Sequence, residues 1–215
     1  MSKRCQLIYL VLLFSISASA RTAFFTDTTA LKTIIDSAYQ LSRQADYIGC
    51  IELLEAPISK LQKEELTVPI TDILSDAYVI KSDALRRLED YEIATTLYQE
   101  SERILLNCPL ESCKKNLSQV YNGLGIIYRR RGKFQKSINN YKKALSTQLT
   151  LKKSSKVWQA MILNNIANCE DDIGNSEGAF SNYKKAINII ENGDERYKFI
   201  PVSYTHLTLP TICSV

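Results

Sequence analysis

Residues 121–146 read YNGLGIIYRRRGKFQKSINNYKKALS. Tyr121, Leu124 and Tyr128 fall three and four apart, the spacing that puts side chains on one face of an α-helix. Gly132 follows with Lys133, and Phe134, Ser137, Tyr141 and Ala144 then resume the same period. A glycine between two amphipathic runs supplies the left-handed backbone that ends one helix before a tight turn. The stretch therefore predicts a helix hairpin. Small residues at Gly125 and Ser137 let the two helices approach closely, and Tyr128, Phe134 and Tyr141 fill the groove beside that contact.

The unit recurs. Downstream it reads Leu163, Ile166, Ala167, Gly174, Ala179, Tyr183, Ala186, and upstream Tyr78, Ser82, Leu85, Tyr91, Ala94, Tyr98, Ser101. A more degenerate copy reads Ile34, Ala38, Leu41, Tyr47, Cys50, Leu54. The small residue of each first helix falls at Ala38, Ser82, Gly125 and Ala167, at intervals of 44, 43 and 42. This pattern resembles the tetratricopeptide repeat, whose basic unit is about 34 residues. The surplus of eight to ten residues corresponds to about one extra turn on each helix. The long period is similar to that of kinesin light chains and of many exported bacterial sensor proteins. Pro57 and Glu170 depart from the pattern, standing where a small residue and an aromatic are expected.

The resemblance implies an all-α, right-handed superhelical solenoid of about four antiparallel helix hairpins, near residues 31–63, 69–106, 115–150 and 155–192. It also implies a function: first helices would line a concave groove that holds a peptide or partner segment. By the family's register the groove positions include Tyr39, Arg43, Arg86, Arg87, Asn122, Arg129, Arg130, Asn164 and Asn168. Side-chain amides both donate to and accept from a peptide backbone, which makes Asn122 and Asn164 apt readers. The arginines recur near the ends of successive first helices, where stacking would align them into a stripe facing an acidic segment. Ile35 and Tyr39 stand where the carboxylate clamp of chaperone-binding members has lysine and asparagine, which disfavours a chaperone tail as ligand.

The two ends differ from the repeats. Residues 1–20 begin with Lys3 and Arg4, continue through an apolar run from Leu7 to Ile16, and end in Ala18, Ser19 and Ala20. That order is the order of a secretory signal, and the run is too short to span a bilayer, which takes roughly 20 residues. After the charged stretch 191–199, residues 201–215 carry no charge and no helical period. Val202 to Thr211 resembles the translated sequence of a library adapter, so residues 201–215 are expected to be a non-native tail and residues 193–200 the start of a further helix cut short. His206, the chain's single histidine, and Cys213 lie in that tail.

Residues 21–200 hold 25 Lys and Arg against 23 Asp and Glu, a balance that gives no electrostatic case for nucleic acid. With no histidine there, Ser-His and Cys-His nucleophile pairs are excluded. The carboxylates belong to solvated helical faces, and no phosphate-cradling glycine loop follows a strand. Cys108 and Cys113 flank Pro109 and are close enough to form a bridge between repeats. Cys50 and Cys169 read as buried free thiols, and no metal-ligand spacing is present. Asn116-Leu117-Ser118 matches a glycosylation acceptor. The expectation is an exported, non-catalytic interaction module without cofactor, metal, nucleic-acid partner or membrane contact beyond its leader. The alternative is the N-terminal sensor domain of a signalling protein, a histidine kinase or transcriptional regulator.

Overall fold

A computed structural model describes residues 28–191, and every regular element among them is an α-helix. The eight helices are α1 (28–43), α2 (Tyr47–Leu61), α3 (Val68–Arg87), α4 (Tyr91–Leu105), α5 (Glu111–Arg130), α6 (Phe134–Leu149), α7 (Lys156–Asp172) and α8 (Ser176–Glu191). They form four hairpins, α1–α2, α3–α4, α5–α6 and α7–α8. The leader 1–20, the segment 193–200 and the tail 201–215 lie outside the described residues. The lengthening is unequal between the two helices of a hairpin. α3 and α5 have 20 residues and α7 has 17, whereas the second helices have 15 or 16.

Each hairpin turns by the same device. Gly132 and Gly174 sit at φ 67° and 78°, as their glycine identity foretells. The equivalent turns of the first two hairpins place Ala45 and Glu89 at φ 64° and 65°. There the chain accepts a conformation that costs a residue with a β-carbon about 1–2 kcal/mol. A cap on the following helix helps to fix three of the four turns. Asp46, Asp90 and Asn175 each accept a hydrogen bond from the backbone three residues on, at Gly49, Ile93 and Gly178. Lys133 holds the corresponding place in the third hairpin without a side-chain cap.

Two glycines on α5 decide how the helices meet. A β-carbon on Gly125 would strike the ring of Tyr141 on α6, within the hairpin. On Gly123 it would strike the ring of Tyr98 on α4, across the boundary between hairpins. Ser137 reinforces the first contact by donating to the Gly125 carbonyl at 2.7 Å. Tyr98, Tyr141 and Tyr183 occupy one register on α4, α6 and α8, and all three are buried. Apolar packing is continuous from Leu31 to Ile127 and passes through Tyr121, Tyr141 and Ile166 into the last hairpin, where Leu163 meets Ala186 and Ile190. No hairpin closes a core alone, the usual condition of a repeat array.

Curvature follows from which helices touch. α3 packs closely against α5, and α5 meets α7 through the Asn122–Asn165 and Arg129–Asp172 pairs, whereas α4 with α6 and α6 with α8 come together less. First helices therefore form the inner, concave layer and second helices the outer one.

Placing a methyl group against the fully enclosed Tyr98 ring costs about 1–3 kcal/mol of overpacking, more than the 0.5–1 kcal/mol that alanine gains over glycine in a helix. Gly123→Ala should thus lower stability in urea denaturation. Glu89→Gly, which relieves a left-handed residue, should raise it by about 0.5–1 kcal/mol.

Candidate partner-binding groove

The inner layer is held by polar bonds between successive first helices. Asn116 on α5 donates to Ser75 Oγ at 3.0 Å and to Asp76 Oδ1 at 2.7 Å on α3. Asn165 on α7 donates to Asn122 Oδ1 on α5 at 3.0 Å. Arg129 on α5 grips both oxygens of Asp172 on α7, at 2.6 and 3.3 Å. That paired geometry and charge hold the Arg129 guanidinium above its usual pKa. Burial raises the Asp76 carboxyl, and the Asn116 hydrogen bond offsets part of that rise.

A second set of bonds ties each inner residue to the helix behind it. The Tyr98 hydroxyl donates to Asp83 Oδ1 at 2.6 Å, and Arg86 donates to the same oxygen at 3.2 and 2.9 Å. Burial would depress the Arg86 guanidinium, but the adjacent Asp83 charge outweighs it and raises the group above its ordinary range. Two hairpins later, the Tyr183 hydroxyl donates to Asn168 Oδ1 at 2.6 Å. Asp83, Ile126 and Asn168 share one register; in the middle hairpin, apolar Ile126 takes the place and Tyr141 has no such partner.

These bonds redistribute the residues expected in the groove. Arg86 and Arg129 are consumed by Asp83 and Asp172, so the five-arginine stripe reduces to Arg43, Arg87 and Arg130. These three are exposed and make no hydrogen bond or ion pair among the described residues. Tyr39 is also exposed. Asn122 on α5 meets Asn165 on α7, while Asn164 and Asn168 stand one turn apart on α7. Asn122 is nearly buried, with its carbonyl taken by Asn165, and Asn168 has its carbonyl taken by Tyr183. Asn164 Oδ1 is buried with no partner, a situation native proteins avoid unless something else supplies the bond. Asn165 was not singled out by sequence, and neither were the bonds that commit Asp83 to Tyr98 and Asp172 to Arg129. The recurring 15-residue interval from Asp83 to Tyr98 and from Asn168 to Tyr183 was the available signal.

Cys108 and Cys113 form a disulfide, with Cα atoms 6.0 Å apart, that clamps the connection from α4 to α5. Cys50 and Cys169 are free and buried. Burial pushes the Cys50 thiol up to about 11 and raises that of Cys169, which rests 3.1 Å from Ser137 Oγ. Both are therefore poor nucleophiles. The glycosylation pattern is corrected: Asn116 is buried within α5 and committed to Ser75 and Asp76, so no glycan reaches it in the folded chain. Glu170, the departure from the aromatic pattern, accepts from Asn182 at 2.7 Å. Two hollows lie among the described residues, of about 390 Å³ beside Lys32, Asp36 and Asp72 and about 220 Å³ beside Leu66, Arg103 and Ile104.

The tetratricopeptide repeat family's sequence pattern matches residues 116–192. These residues are tetratricopeptide repeats. The whole described array has the same fold, a solenoid of helix hairpins, and repeats of this family are typically non-catalytic and bind protein partners. It superposes on the apo form of RapI with TM-score 0.66 at 14% identity, covering 88% of this chain and 66% of that one. The chain thus spans just under two thirds of the RapI chain. It also superposes on Hif1, described as a yeast histone chaperone and a scaffold protein recruiting protein complexes to core histones, with TM-score 0.55 at 15% identity, covering 76% of this chain and 84% of that one. At these identities the likeness is one of fold alone. No curated protein matches by sequence.

Asp83→Ala would leave the partly buried Arg86 guanidinium and the buried Tyr98 hydroxyl without their acceptor, at a cost of about 1–3 kcal/mol. Arg87→Ala removes an unpaired exposed side chain and should change stability by no more than about 0.5 kcal/mol. Urea denaturation of both variants checks the division of the stripe into structural and free arginines.

Proposed function

We propose that this chain is a non-catalytic interaction module of an exported protein, and that it holds an extended segment of a protein partner along its concave face. The amide cluster on α5 and α7 carries this reading. Asn164 Oδ1 is buried without a bond, and the amide nitrogens of Asn122 and Asn168 have no partner among the described residues. An extended backbone offers alternating N–H and C=O groups that match such amides. Arg43, Arg87 and Arg130 then lie along one edge of the groove, ready for acidic side chains on the bound segment. The Cys108–Cys113 bridge supports export, since disulfides persist in oxidising compartments, and it accords with the secretory order of residues 1–20.

A second reading takes the same module as the extracytoplasmic sensor of a signalling protein. Phe180 on α8 is 53% exposed, whereas Ile138, its equivalent on α6, is 4% exposed because α7 covers it. A surface shaped to seat another helix suits an array that continues toward a membrane segment. In the complete reading frame, an apolar run of about 20 residues after the repeats would favour the sensor, and a stop codon soon after a polar capping helix the adaptor.

Ligands selected from a random peptide library should bind the wild-type chain about three- to tenfold more tightly than Asn164→Ala, the loss expected for one backbone hydrogen bond. Arg87→Glu should weaken acidic ligands in particular. Selected ligands that are indifferent to Asn164, Arg87 and Arg130 would contradict the groove assignment.

A further inference from the structure

The near balance of charge over the whole chain conceals a strong segregation along it. Residues 28–111 carry fifteen Asp and Glu against eight Lys and Arg. Residues 112–169 carry twelve Lys and Arg and not one Asp or Glu, and residues 170–191 return to five acids against two bases. The third repeat is thus a cationic block between two acidic ones.

Three of the twelve bases of residues 112–169, all lysines, lie on the outer layer. α6 has no acidic residue, and Lys136, Lys142 and Lys143 are exposed along it. The Lys-Lys pair recurs 42 residues later as Lys184 and Lys185, both exposed on α8. Only Lys143 among the five has a partner among the described residues. It stands 3.8 Å from Glu102 and 4.9 Å from the centroid of the Tyr121 ring, and its side chain remains 58% exposed. α6 has 16 residues and gives this strip a length of about 24 Å. A large apolar side chain borders it: Leu149 at the end of α6, 60% exposed.

The chemistry discriminates among polyanions. All five cations are lysines, compact charges on flexible stems that suit a diffuse negative surface better than the paired geometry arginine offers to individual carboxylates. Of the aromatic rings of α6 and α8, Tyr141 and Tyr183 are buried and Phe134 is partly buried, which leaves Phe180 as the one well exposed ring there, too few to stack successive bases. The face is the outer side of the helical layer. A cluster of four to eight lysines flanked by apolar residues is what an anionic bilayer surface attracts. We propose that the outer face of α6 and α8 is a peripheral docking surface for a membrane rich in anionic lipids. Lys136, Lys142, Lys143, Lys184 and Lys185 meet the headgroups, and Leu149 enters the interface. The concave groove, on the opposite side of the array, stays open to a protein partner while the outer face is docked.

Co-sedimentation of the full chain with vesicles tests this directly. Partitioning onto phosphatidylglycerol-containing vesicles should exceed that onto pure phosphatidylcholine and fall as salt is raised. Lys142→Glu/Lys185→Glu should lower it more than about tenfold, since each lysine near an anionic surface contributes roughly a fivefold factor. Lys32→Glu/Lys63→Glu, with the same change in net charge at exposed sites in the first hairpin and the connection that follows it, should leave it within about twofold. Should the charge-reversed chain lose its helical circular dichroism, Lys142→Gln/Lys185→Gln and Leu149→Ser serve instead, each expected to weaken partitioning. Equal binding to both lipid types, equal losses in the two charge-reversed proteins, or tighter binding to poly-glutamate or duplex DNA than to vesicles at the same ionic strength would overturn the proposal. The peptide ligands of the groove are read separately, so either assignment can fail while the other stands.

Discussion

The array depends on one close approach, in which the Tyr98 ring of α4 lies against the bare backbone of Gly123 on α5. Tyr98 is wholly buried, and its hydroxyl reaches Asp83, which in turn holds Arg86. A single ring therefore couples the second hairpin to the third and fixes the inner face of α3 from behind. Gly125, two residues on, does the equivalent service within its own hairpin by admitting Tyr141. Close packing of this sort is sensitive to a single methyl group. It explains why α5 carries two glycines in a helix that would otherwise be better without them.

Much of this was legible in the sequence because it is periodic. The aromatic and small positions of residues 121–146 predicted both helices and the glycine turn, and Gly132 and Gly174 take the left-handed backbone expected of them. Gly125 could be read as a point of close approach because the repeat pattern names its place. Gly123 could not, since its partner Tyr98 lies across a hairpin boundary whose geometry no local period reveals. The same turns in the first two hairpins went unmarked because Ala45 and Glu89 pay a conformational cost instead of using glycine.

The groove was legible in outline and less so in detail. Register places Asn122, Asn164 and Asn168 on successive first helices, and the structure joins Asn122 to Asn165, which register did not mark. Register cannot say which charges are already satisfied. Arg86 and Arg87 look alike in sequence, yet Arg86 is turned onto Asp83 and Arg87 is left to solvent. Arg129 differs from Arg130 in the same way because Asp172 of the next hairpin lies within reach. Counting charge over the whole chain erred in the opposite direction: a nearly neutral total hid a third repeat with no acid at all. Field strength at a surface depends on local charge, and the fold puts five of the lysines on the outer layer.

Native-state hydrogen exchange on wild type and Gly123→Ala tests the central coupling most directly. If Tyr98 locks the second and third hairpins together, the substitution should lower amide protection in α3 and α4 as well as in α5, with the loss spreading across the boundary. Loss of protection confined to the turns of α5 around residue 123, with α3 and α4 unchanged, would contradict the account.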